Sequence, residues 1–270
     1  MSERNGDAER VMTEIQRAFS VVHAADDDPI DVPPPEVPAS GGPPPLVARS
    51  HPHRETFDRE LREIKDNVLR MGSLVEEAIR AAIDALVRHD ADAALAVIIA
   101  DPAINEVQRK VTSMITATIA TQAPVARDLR FLLTLDHVSY ELERMGDHAA
   151  SVAKQVRKLV VEPPLPALPG QLAAIGELAA QLVHGILLAL VDIDQAAARE
   201  VAGRDDEIDN RYHRLFDQAV ALMRSDPANV ERGARVLFAA HYLERIGDRV
   251  TNIAEDVVFL ATGDIEDLNP

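Results

Sequence analysis

The sequence predicts an all-α protein of two tandem antiparallel three-helix bundles, an internal repeat, with a disordered Pro-rich N-terminal tail. Apolar residues make up 47% of the chain and aromatic residues only 3%. A core of Ala, Leu, Val and Ile suits close packing of helix against helix. Apolar residues recur at helical spacing after residue 57, and a three-helix pattern occurs twice around a Pro-rich linker.

Residues 26–50 are rich in Pro and Gly and lack apolar periodicity, so we expect a disordered or polyproline-type tail. Before this tail, Val11, Ile15, Phe19 and Val22 lie at helical spacing. They predict either a short amphipathic helix or a frayed helix without a partner. The predicted domains are an N-terminal extension over 1–53, a first repeat over 54–162 and a second repeat over 170–262.

The first repeat opens with the clearest helical pattern in the chain. Apolar residues step by four and three from Phe57 to Ala82, which predicts a long bundle helix that ends near His89. Asp90 and Asp92 then stand where a capping residue is needed. The sequence therefore predicts a turn and a second helix from about residue 91.

Pro residues divide the rest of the first repeat. Asp101 and Pro102 interrupt the second helix, so residues 91–121 form one kinked helix or two abutting helices, with Asp101 as a cap. Pro124 ends this segment, and a third helix runs from Asp128 to about residue 160.

The second repeat follows a Pro-rich linker over residues 162–169. Its helices are predicted over 172–191, over 194 to about 224, and over 230 to about 261. Short connections make neighbouring helices antiparallel. The first of these helices is the most apolar stretch of the chain, but it contains Glu177, Gln181 and His184, so we expect a buried helix rather than a membrane span.

Charge and cysteine content exclude several classes of function. The net charge is 28 − 45 = −17, which argues against binding to nucleic acid or to a bare anionic membrane. The chain has no Cys, hence no disulfide and no thiolate metal site. The N-terminus lacks the pattern of a signal peptide. We therefore expect a cytoplasmic protein without direct membrane insertion.

A motif occurs once in each repeat, as ELERMGDH from residue 141 and YLERIGDR from residue 242. Glu143 and Asp147 match Glu244 and Asp248 with a shift of 101 residues (244 − 143 and 248 − 147). Each acid pair is spaced i, i+4 on one helix face, where like charges repel. The intervening Gly costs a helix ~1 kcal/mol relative to Ala. A repulsive acid pair and a helix-weakening glycine that occur together in both repeats predict a compensating role. The glycine would let a neighbouring helix come close or leave room beside the carboxylates, and a cation shared by the carboxylates would remove their repulsion.

The second helix of each repeat offers further oxygen ligands. Asp205 and Asp209 are again spaced i, i+4, and a shift of 104 residues relates them to Asp101 and Asn105. If the second and third helices face each other, several carboxylates meet without sulfur, which suits Fe, Mn, Mg or Ca better than a structural zinc site. The second site looks richer, because Asn252 and Glu255 continue it where the first repeat has Ser151 and Lys154.

The alternative to a metal site is an ordinary charged surface. Arg144 and Arg245 each precede an Asp by three residues, which predicts simple surface ion pairs. His241 and His148 have no histidine counterpart in the other repeat, so we do not expect either to be a ligand.

The motifs LRMGSLVEEAI, QAPVARDLR and the doubled LER(M/I)GD resemble the PhoU family, accessory regulators of the phosphate-specific transport system. The resemblance spans about residues 54–262. It implies two similar three-helix bundles in a cytoplasmic homodimer that restrains phosphate uptake and the phosphate-starvation response when phosphate is plentiful. The implied partners are the phosphate-sensing histidine kinase and the ATPase subunit of the phosphate ABC transporter.

The resemblance also implies E/DxxxD motifs that hold multinuclear metal clusters of Fe, Mn or Zn. Carried over by position, the metal ligands are Glu143, Asp147, Asp205, Asp209, Glu244 and Asp248. Asn105 departs from the pattern and weakens the first-repeat site.

Two other functions remain open on the residues alone. One is a di-metal carboxylate oxidase or metal-storage protein, which takes a Glu-x-x-His motif from each of two helices. Neither copy of the doubled motif supplies this histidine. The other is a purely structural dimer with solubilising acids. Since no nucleophile–base pair or phosphate-binding glycine loop occurs, we expect a regulatory adaptor without catalytic residues.

Overall fold

The computed structural model describes residues 51–163, 165 and 168–268, and these residues form helices connected by short turns, without a β-strand. The all-α prediction is confirmed. The predicted tail and amphipathic helix lie outside the described residues. The helices are α1 (His51–Val87), α2 (Ala91–Ala100), α3 (Pro102–Gln122), α4 (Ala126–Leu159), α5 (Leu168–Asp192), α6 (Gln195–Ala202), α7 (Asp205–Ser225) and α8 (Val230–Thr262), with a 3₁₀ turn at Pro227–Asn229.

Matching aspartates begin the second helical segment of each repeat. The Asp90 carboxylate accepts a hydrogen bond from the Ala93 amide at 2.8 Å and caps α2. Asp194 caps α6 by accepting from the amides of Ala196 and Ala197, at 2.9 and 3.1 Å. These bonds satisfy N–H groups that the first turn of a helix leaves without partners.

The predicted cap at Asp101 is wrong in one respect. The chain does break into α2 and α3 at this residue, and Pro102 opens α3. Asp101 has helical backbone angles, φ −50° and ψ −44°, and its side chain forms no capping hydrogen bond. Its carboxylate is therefore available to the interior, next to α4.

The long helix predicted over residues 194 to about 224 is also wrong, because the structure divides it into α6 and α7 at Gly203 and Arg204. The Gly203 amide donates to the Arg199 carbonyl at 3.0 Å, and the Arg204 amide donates to the Val201 carbonyl at 3.1 Å. Gly has a low helix propensity, so it permits the break that proline imposes in the first repeat. Each repeat thus contains a long helix, a broken helix and a second long helix.

The four long helices form the core. Helix α4 packs against α1 and α8, and α5 packs against the same two helices. The broken helices lie outside this arrangement, α2 and α3 beside α1 and α4, and α6 and α7 beside α5 and α8. Each broken helix therefore faces the long helix that carries its repeat's LER(M/I)GD motif.

Helices α1 and α5 meet through two contacts related by the repeat. A Cβ atom at Gly72 would lie 2.7 Å from Cδ2 of Leu187, and one at Gly176 would lie 2.6 Å from Cδ1 of Ile83. The shift of 104 residues relates Gly72 to Gly176 and Ile83 to Leu187 (72 + 104 = 176; 83 + 104 = 187). Each glycine thus receives the other repeat's aliphatic side chain, and the two helices run antiparallel.

Helix α5 is the one described helix long and apolar enough to span a membrane by length and composition. Of its most apolar window, 61% is buried inside the protein. Leu172, Leu182 and Ile186 on this helix are fully buried against the other long helices. This burial agrees with the predicted core helix.

Candidate functional site

Gly146 lets α3 approach α4 closely. A Cβ atom at this position would lie 2.9 Å from Cδ1 of Ile104 on α3, closer than carbon atoms pack. The approach places Asp101, at the start of α3, beside the acid pair of α4. The first function of the motif's glycine is therefore to bring two helices together, as the sequence predicts.

Asp101, Glu143 and Asp147 make up the first acid cluster. Burial raises the pKa of Asp101 above its usual value, and the negative charge of Asp147 raises it further, against the opposing charge of Lys154. Burial and then Asp147 raise the pKa of Glu143. Oδ1 of Asp101 and Oδ1 of Asn105 are buried without a hydrogen-bond partner in the described residues. The three carboxylates thus lie close enough for their charges to interact, and two buried oxygen atoms on α3 and at its start lack partners among the described residues.

Gly247 has the same role between α7 and α8. A Cβ atom here would overlap Oδ1 of Asp205 and would lie 3.2 Å from Cδ1 of Ile208. The missing side chain leaves room for the Asp205 carboxylate against α8. Together with three nearby acids it forms the second acid cluster, which consists of Asp205, Asp209, Glu244 and Asp248.

The carboxylates of the second acid cluster destabilise one another's charge. Burial raises the pKa of Asp205 to about 7, with Asp248 as the largest charged contributor. Burial and then Glu244 raise the pKa of Asp248 to about 6, and they also raise the pKa of Asp209. Proximity of like charges and loss of water both favour the protonated form. Asp205 and Asp248 therefore take up protons near neutral pH.

Two oxygens of this cluster lack hydrogen bonds within the described residues, Oδ1 of Asp205 and Oε2 of Glu244. The Glu244 oxygen lies 3.3 Å from Nδ1 of His241, but not in hydrogen-bonding geometry. Buried polar atoms in native proteins nearly always have a partner, which includes bound ions. An all-oxygen, strongly negative donor set fits a hard or borderline cation.

The side chains of the two acid clusters are not arranged as a complete metal coordination sphere. In the described part of the chain, no group of three or more His, Asp or Glu residues is arranged to hold a metal ion. A cation placed between the carboxylates would remove their mutual repulsion. Such a cation would require the side chains of the cluster to turn toward one another.

The six predicted metal ligands lie in the two clusters, and Asp101, which was predicted to be a helix cap, lies with Glu143 and Asp147. Asn252 and Glu255, the two additions expected for the second site, line a cleft together with Asp248. Asn252 also donates to Oε2 of Glu141 at 3.3 Å, and Glu255 accepts from the Leu268 amide at 3.0 Å. Both side chains therefore lie near Asp248 but have partners outside the second site.

Glu141, the first residue of ELERMGDH, anchors a polar group that the sequence prediction missed. It is 2% exposed and lies between α4 and α8. Nη1 of Arg249 is 3.6 Å from its carboxylate, and Nε2 of His137 is 3.5 Å away. Nδ1 of His137 is in turn 2.7 Å from Oδ2 of Asp256 on α8. The i, i+4 spacing of His137 and Glu141 is visible in the sequence, but their partners on α8 are not.

The structure contains the ion pair predicted for Arg245, and the two histidines that were not expected to be ligands are packed between helices. Nη1 of Arg245 lies 3.7 Å from Oδ2 of Asp248, a weak pair that leaves the cluster negative. His148 is buried and stacks on Tyr242, with ring centroids 5.9 Å apart. Burial lowers the pKa of His148 to about 3, so its ring is neutral. His241 packs against Tyr212 and Tyr242. Both histidines act in packing between helices.

The PhoU domain model matches residues 68–156 and 172–257, one match for each repeat. The chain belongs to the PhoU family. A phosphate-specific transport system accessory protein PhoU homolog of Clostridium acetobutylicum is 35% identical over 217 residues, which cover 80% of this chain and 99% of the relative. A PhoU homolog of Streptococcus pneumoniae serotype 4 is 34% identical over 216 residues, 80% of this chain and 100% of the relative.

Solved PhoU structures share the fold. The crystal structure of PhoU from Pseudomonas aeruginosa aligns with a TM-score of 0.74 at 32% identity, and it covers 77% of this chain and 100% of that one. The phosphate transport system regulatory protein PhoU from Streptococcus pneumoniae aligns with a TM-score of 0.72 at 33% identity, over 78% of this chain and 99% of that one. The PhoU domain matches contain both copies of the acid motif.

Proposed function

We propose that this PhoU-family protein is an accessory regulator of a phosphate transport system. It restrains phosphate uptake and the phosphate-starvation response when phosphate is plentiful. The match of both repeats to PhoU relatives over 99–100% of those relatives' length carries the proposal. The relatives are named as accessory proteins of the phosphate-specific transport system.

A regulator of this kind acts by binding. Its proposed partners are the ATPase subunit of the phosphate ABC transporter, the phosphate-sensing histidine kinase and a second copy of the same chain. The oxidase alternative has no support of its own, because the residue three positions after Glu143 and after Glu244 is glycine rather than histidine. The protein is thus proposed as a cytoplasmic adaptor rather than an enzyme.

Deletion of the protein from its host tests this role. A reporter of the phosphate-starvation response, measured at high phosphate, is expected to rise from its repressed level and to return when the full-length chain is restored. Phosphate uptake, measured in the same cultures, is expected to rise in parallel. Unchanged reporter output and uptake in the deletion strain would contradict the proposal.

We also propose that each acid cluster holds divalent cations, either Fe, Mn or Zn. Asp101, Glu143 and Asp147 would hold the first ion, and the four acids of the second acid cluster the second. The bound ion supplies positive charge that removes the repulsion between carboxylates. The clusters join α3 to α4 and α7 to α8, so occupancy would stabilise the position of each broken helix on its motif-bearing helix.

Metal analysis of the purified protein tests the second cluster. The double variant Asp205→Asn/Asp248→Asn is compared with Asp206→Asn/Asp217→Asn, which removes the same charge from two exposed positions of α7. After dialysis against Mn²⁺ or Zn²⁺ at pH 7.5, the first variant is expected to lose the metal of this cluster and the control to keep it. Equal metal content in all three proteins would remove the assignment, while leaving the regulatory proposal intact.

A further inference from the structure

A cleft of about 550 Å³ lies between the end of α4 and the start of α8. We call it the basic cleft, because five of its lining side chains are cationic. They are Lys154, Arg157, Lys158, Arg232 and Arg235. Apolar contact surface is also present, from Ile98 of α2 and from Val161 and Ala228.

The charge of the basic cleft is opposite to that of the protein. Five cations and the two lining acids, Glu162 and Glu231, give 5 − 2 = +3. The whole chain carries −17, so the remaining residues carry −17 − 3 = −20. A strongly acidic protein that gathers cations in one concave surface creates a local potential that attracts anions.

Part of this surface is held in place. Arg232 donates from Nη1 to the Pro163 carbonyl at 2.7 Å and from Nη2 to Oδ1 of Asn229 at 2.6 Å. Arg235 is ion-paired with Glu231. Arg157 and Lys158 are exposed and form no ion pair or side-chain hydrogen bond with any described residue. The cleft therefore combines two positioned guanidinium groups with two cations that have no ion-pair partner among the described residues.

Helix stability does not account for this arrangement. Arg157 and Lys158 stand in the last turn of α4, where basic residues interact favourably with the helix dipole. Arg232 and Arg235 stand in the first two turns of α8, where positive charge is unfavourable. The helix dipole thus accounts for the two cations at the end of α4 but disfavours the two arginines at the start of α8.

The internal repeat shows that the fold does not need these charges. With the shift of 101 residues, Lys154, Arg157 and Lys158 correspond to Glu255, Val258 and Phe259 (154 + 101, 157 + 101 and 158 + 101). These three positions of α8 are therefore acidic or apolar, and one cation, Arg130 of α4, lies over the Phe259 ring. The cations are a property of one end of the molecule and not of the bundle.

We propose that the basic cleft binds a compact oligophosphate anion, either free or as the phosphate chain of a nucleotide. A single phosphate group carries less than two negative charges near pH 7 and leaves a +3 cleft unneutralised. A chain of two or three phosphates supplies three to four charges in a small volume. Arg presents paired N–H donors that match phosphate oxygens, and a volume of about 550 Å³ lies in the range of small-molecule sites.

Isothermal titration of the metal-free, full-length protein with tripolyphosphate, ATP and orthophosphate tests the site. The buffer contains 100 mM salt and no divalent cation, so that binding through the acid clusters does not contribute. The test variant is Arg157→Gln/Lys158→Gln. The matched control is Arg109→Gln/Arg214→Gln, which removes two exposed cations of α3 and α7 and gives the same net charge.

Tripolyphosphate is expected to saturate one site per chain and to bind at least tenfold more tightly than orthophosphate. The test variant is expected to weaken this binding at least tenfold and the control less than twofold. Equal binding of ATP and tripolyphosphate identifies the phosphate chain as the recognised group, and tighter binding of ATP identifies a nucleotide. Absence of saturable binding, equal weakening in the control, or equally tight binding of an oligoglutamate peptide would overturn the proposal.

Discussion

At the scale of single residues, the most consequential feature is a carboxylate buried against a glycine. Asp205 is 6% exposed, its Oδ1 lies against Gly247, and the negative charges of four other acids raise its pKa. Burial and the charge of Asp248 raise the pKa of Asp205 to about 7. A group in this environment opposes folding when it is ionised, unless a cation compensates.

Replacing Asp205 by Asn is therefore expected to stabilise the metal-free protein. Between about pH 4 and pH 7 the unfolded chain has lost the Asp205 proton while the folded protein retains it, so wild-type stability falls as pH rises through this window. At pH 8, Asp205→Asn should raise the free energy of unfolding by about 1–3 kcal/mol, and the gain should shrink towards pH 4. Urea denaturation with a chelator present measures it.

The exposed Asp217 provides the control on the same helix. Asp217→Asn should change the free energy of unfolding by less than about 0.5 kcal/mol at either pH. A loss of stability in Asp205→Asn at pH 8 would show that the carboxylate makes a favourable contact in the metal-free protein. With Mn²⁺ or Zn²⁺ added, the order should reverse, because only the wild-type protein would gain from binding.

The acidity of the second acid cluster also sets how metal affinity depends on pH. Metal ions compete with protons for the same oxygens, and Asp205 and Asp248 have pKa values of about 7 and about 6. Affinity for Mn²⁺ or Zn²⁺, measured by titration calorimetry, should therefore fall as the pH is lowered from 8 to 5.5. A constant affinity across this range would contradict binding by these two carboxylates.

At the scale of helices, much of the structure was predictable from local patterns. The apolar stripe of α1, the proline at 102 and the capping aspartates at 90 and 194 each act within a few residues. The division of α6 from α7 was not predicted, because a glycine weakens a helix without forbidding it. The hydrogen bond of Asn252 to Glu141 was not predicted either, because it depends on α4, a distant part of the chain.

The two acid clusters were also predictable only in part from the sequence. Repetition identified the two acid pairs and the need for a close approach at Gly146 and Gly247. It did not show that Asp101 lies beside Glu143 and Asp147, because the predicted capping role already explained why an Asp occurs at residue 101. The Glu141 group depends on contacts across α4 and α8, which spacing along one helix cannot reveal.

The contact of Gly72 with Leu187 gives a test of packing between α1 and α5. Gly72→Ala should lower the free energy of unfolding by about 1–3 kcal/mol, although Ala is better in a helix by about 1 kcal/mol, because the new Cβ overlaps Leu187. Combining it with Leu187→Ala should cost less than the sum of the two single changes, by about 1 kcal/mol. Urea denaturation of the four proteins measures this coupling.

Gly170 is the matched control for the Gly72 substitution. It also lies in a helix, and a Cβ atom built there meets nothing within 4 Å. Gly170→Ala should therefore leave stability unchanged or raise it by up to about 1 kcal/mol. If both glycine substitutions stabilise equally, the close approach of α1 and α5 does not restrict residue 72.

At the scale of the whole molecule, the two repeats share one core. Helix α4 of the first repeat packs against α8 of the second, and α1 packs against α5. The buried Glu141 group and the stacked rings of His148 and Tyr242 cross the same boundary. The repeats are therefore joined by apolar surface and by a polar group centred on the buried Glu141 carboxylate.

We expect the described helical region to unfold in a single cooperative step. Urea transitions followed by circular dichroism and by tyrosine fluorescence should coincide, because loss of either repeat exposes the core of the other. Separately expressed segments 54–162 and 170–262 should have lower helicity and a tendency to aggregate. Two resolved transitions, or an isolated segment as stable as the intact chain, would contradict this expectation.

The paired glycine contacts between α1 and α5 have an evolutionary consequence. Each repeat supplies one glycine and one aliphatic residue to this interface, and the glycine of one repeat contacts the aliphatic residue of the other. A polypeptide with only one repeat would already possess both complementary surfaces and would satisfy them by pairing with a second copy in a symmetric dimer. Gene fusion of such a dimer would give the present arrangement, in which both glycine contacts remain although Glu141 and its counterpart Tyr242 have diverged.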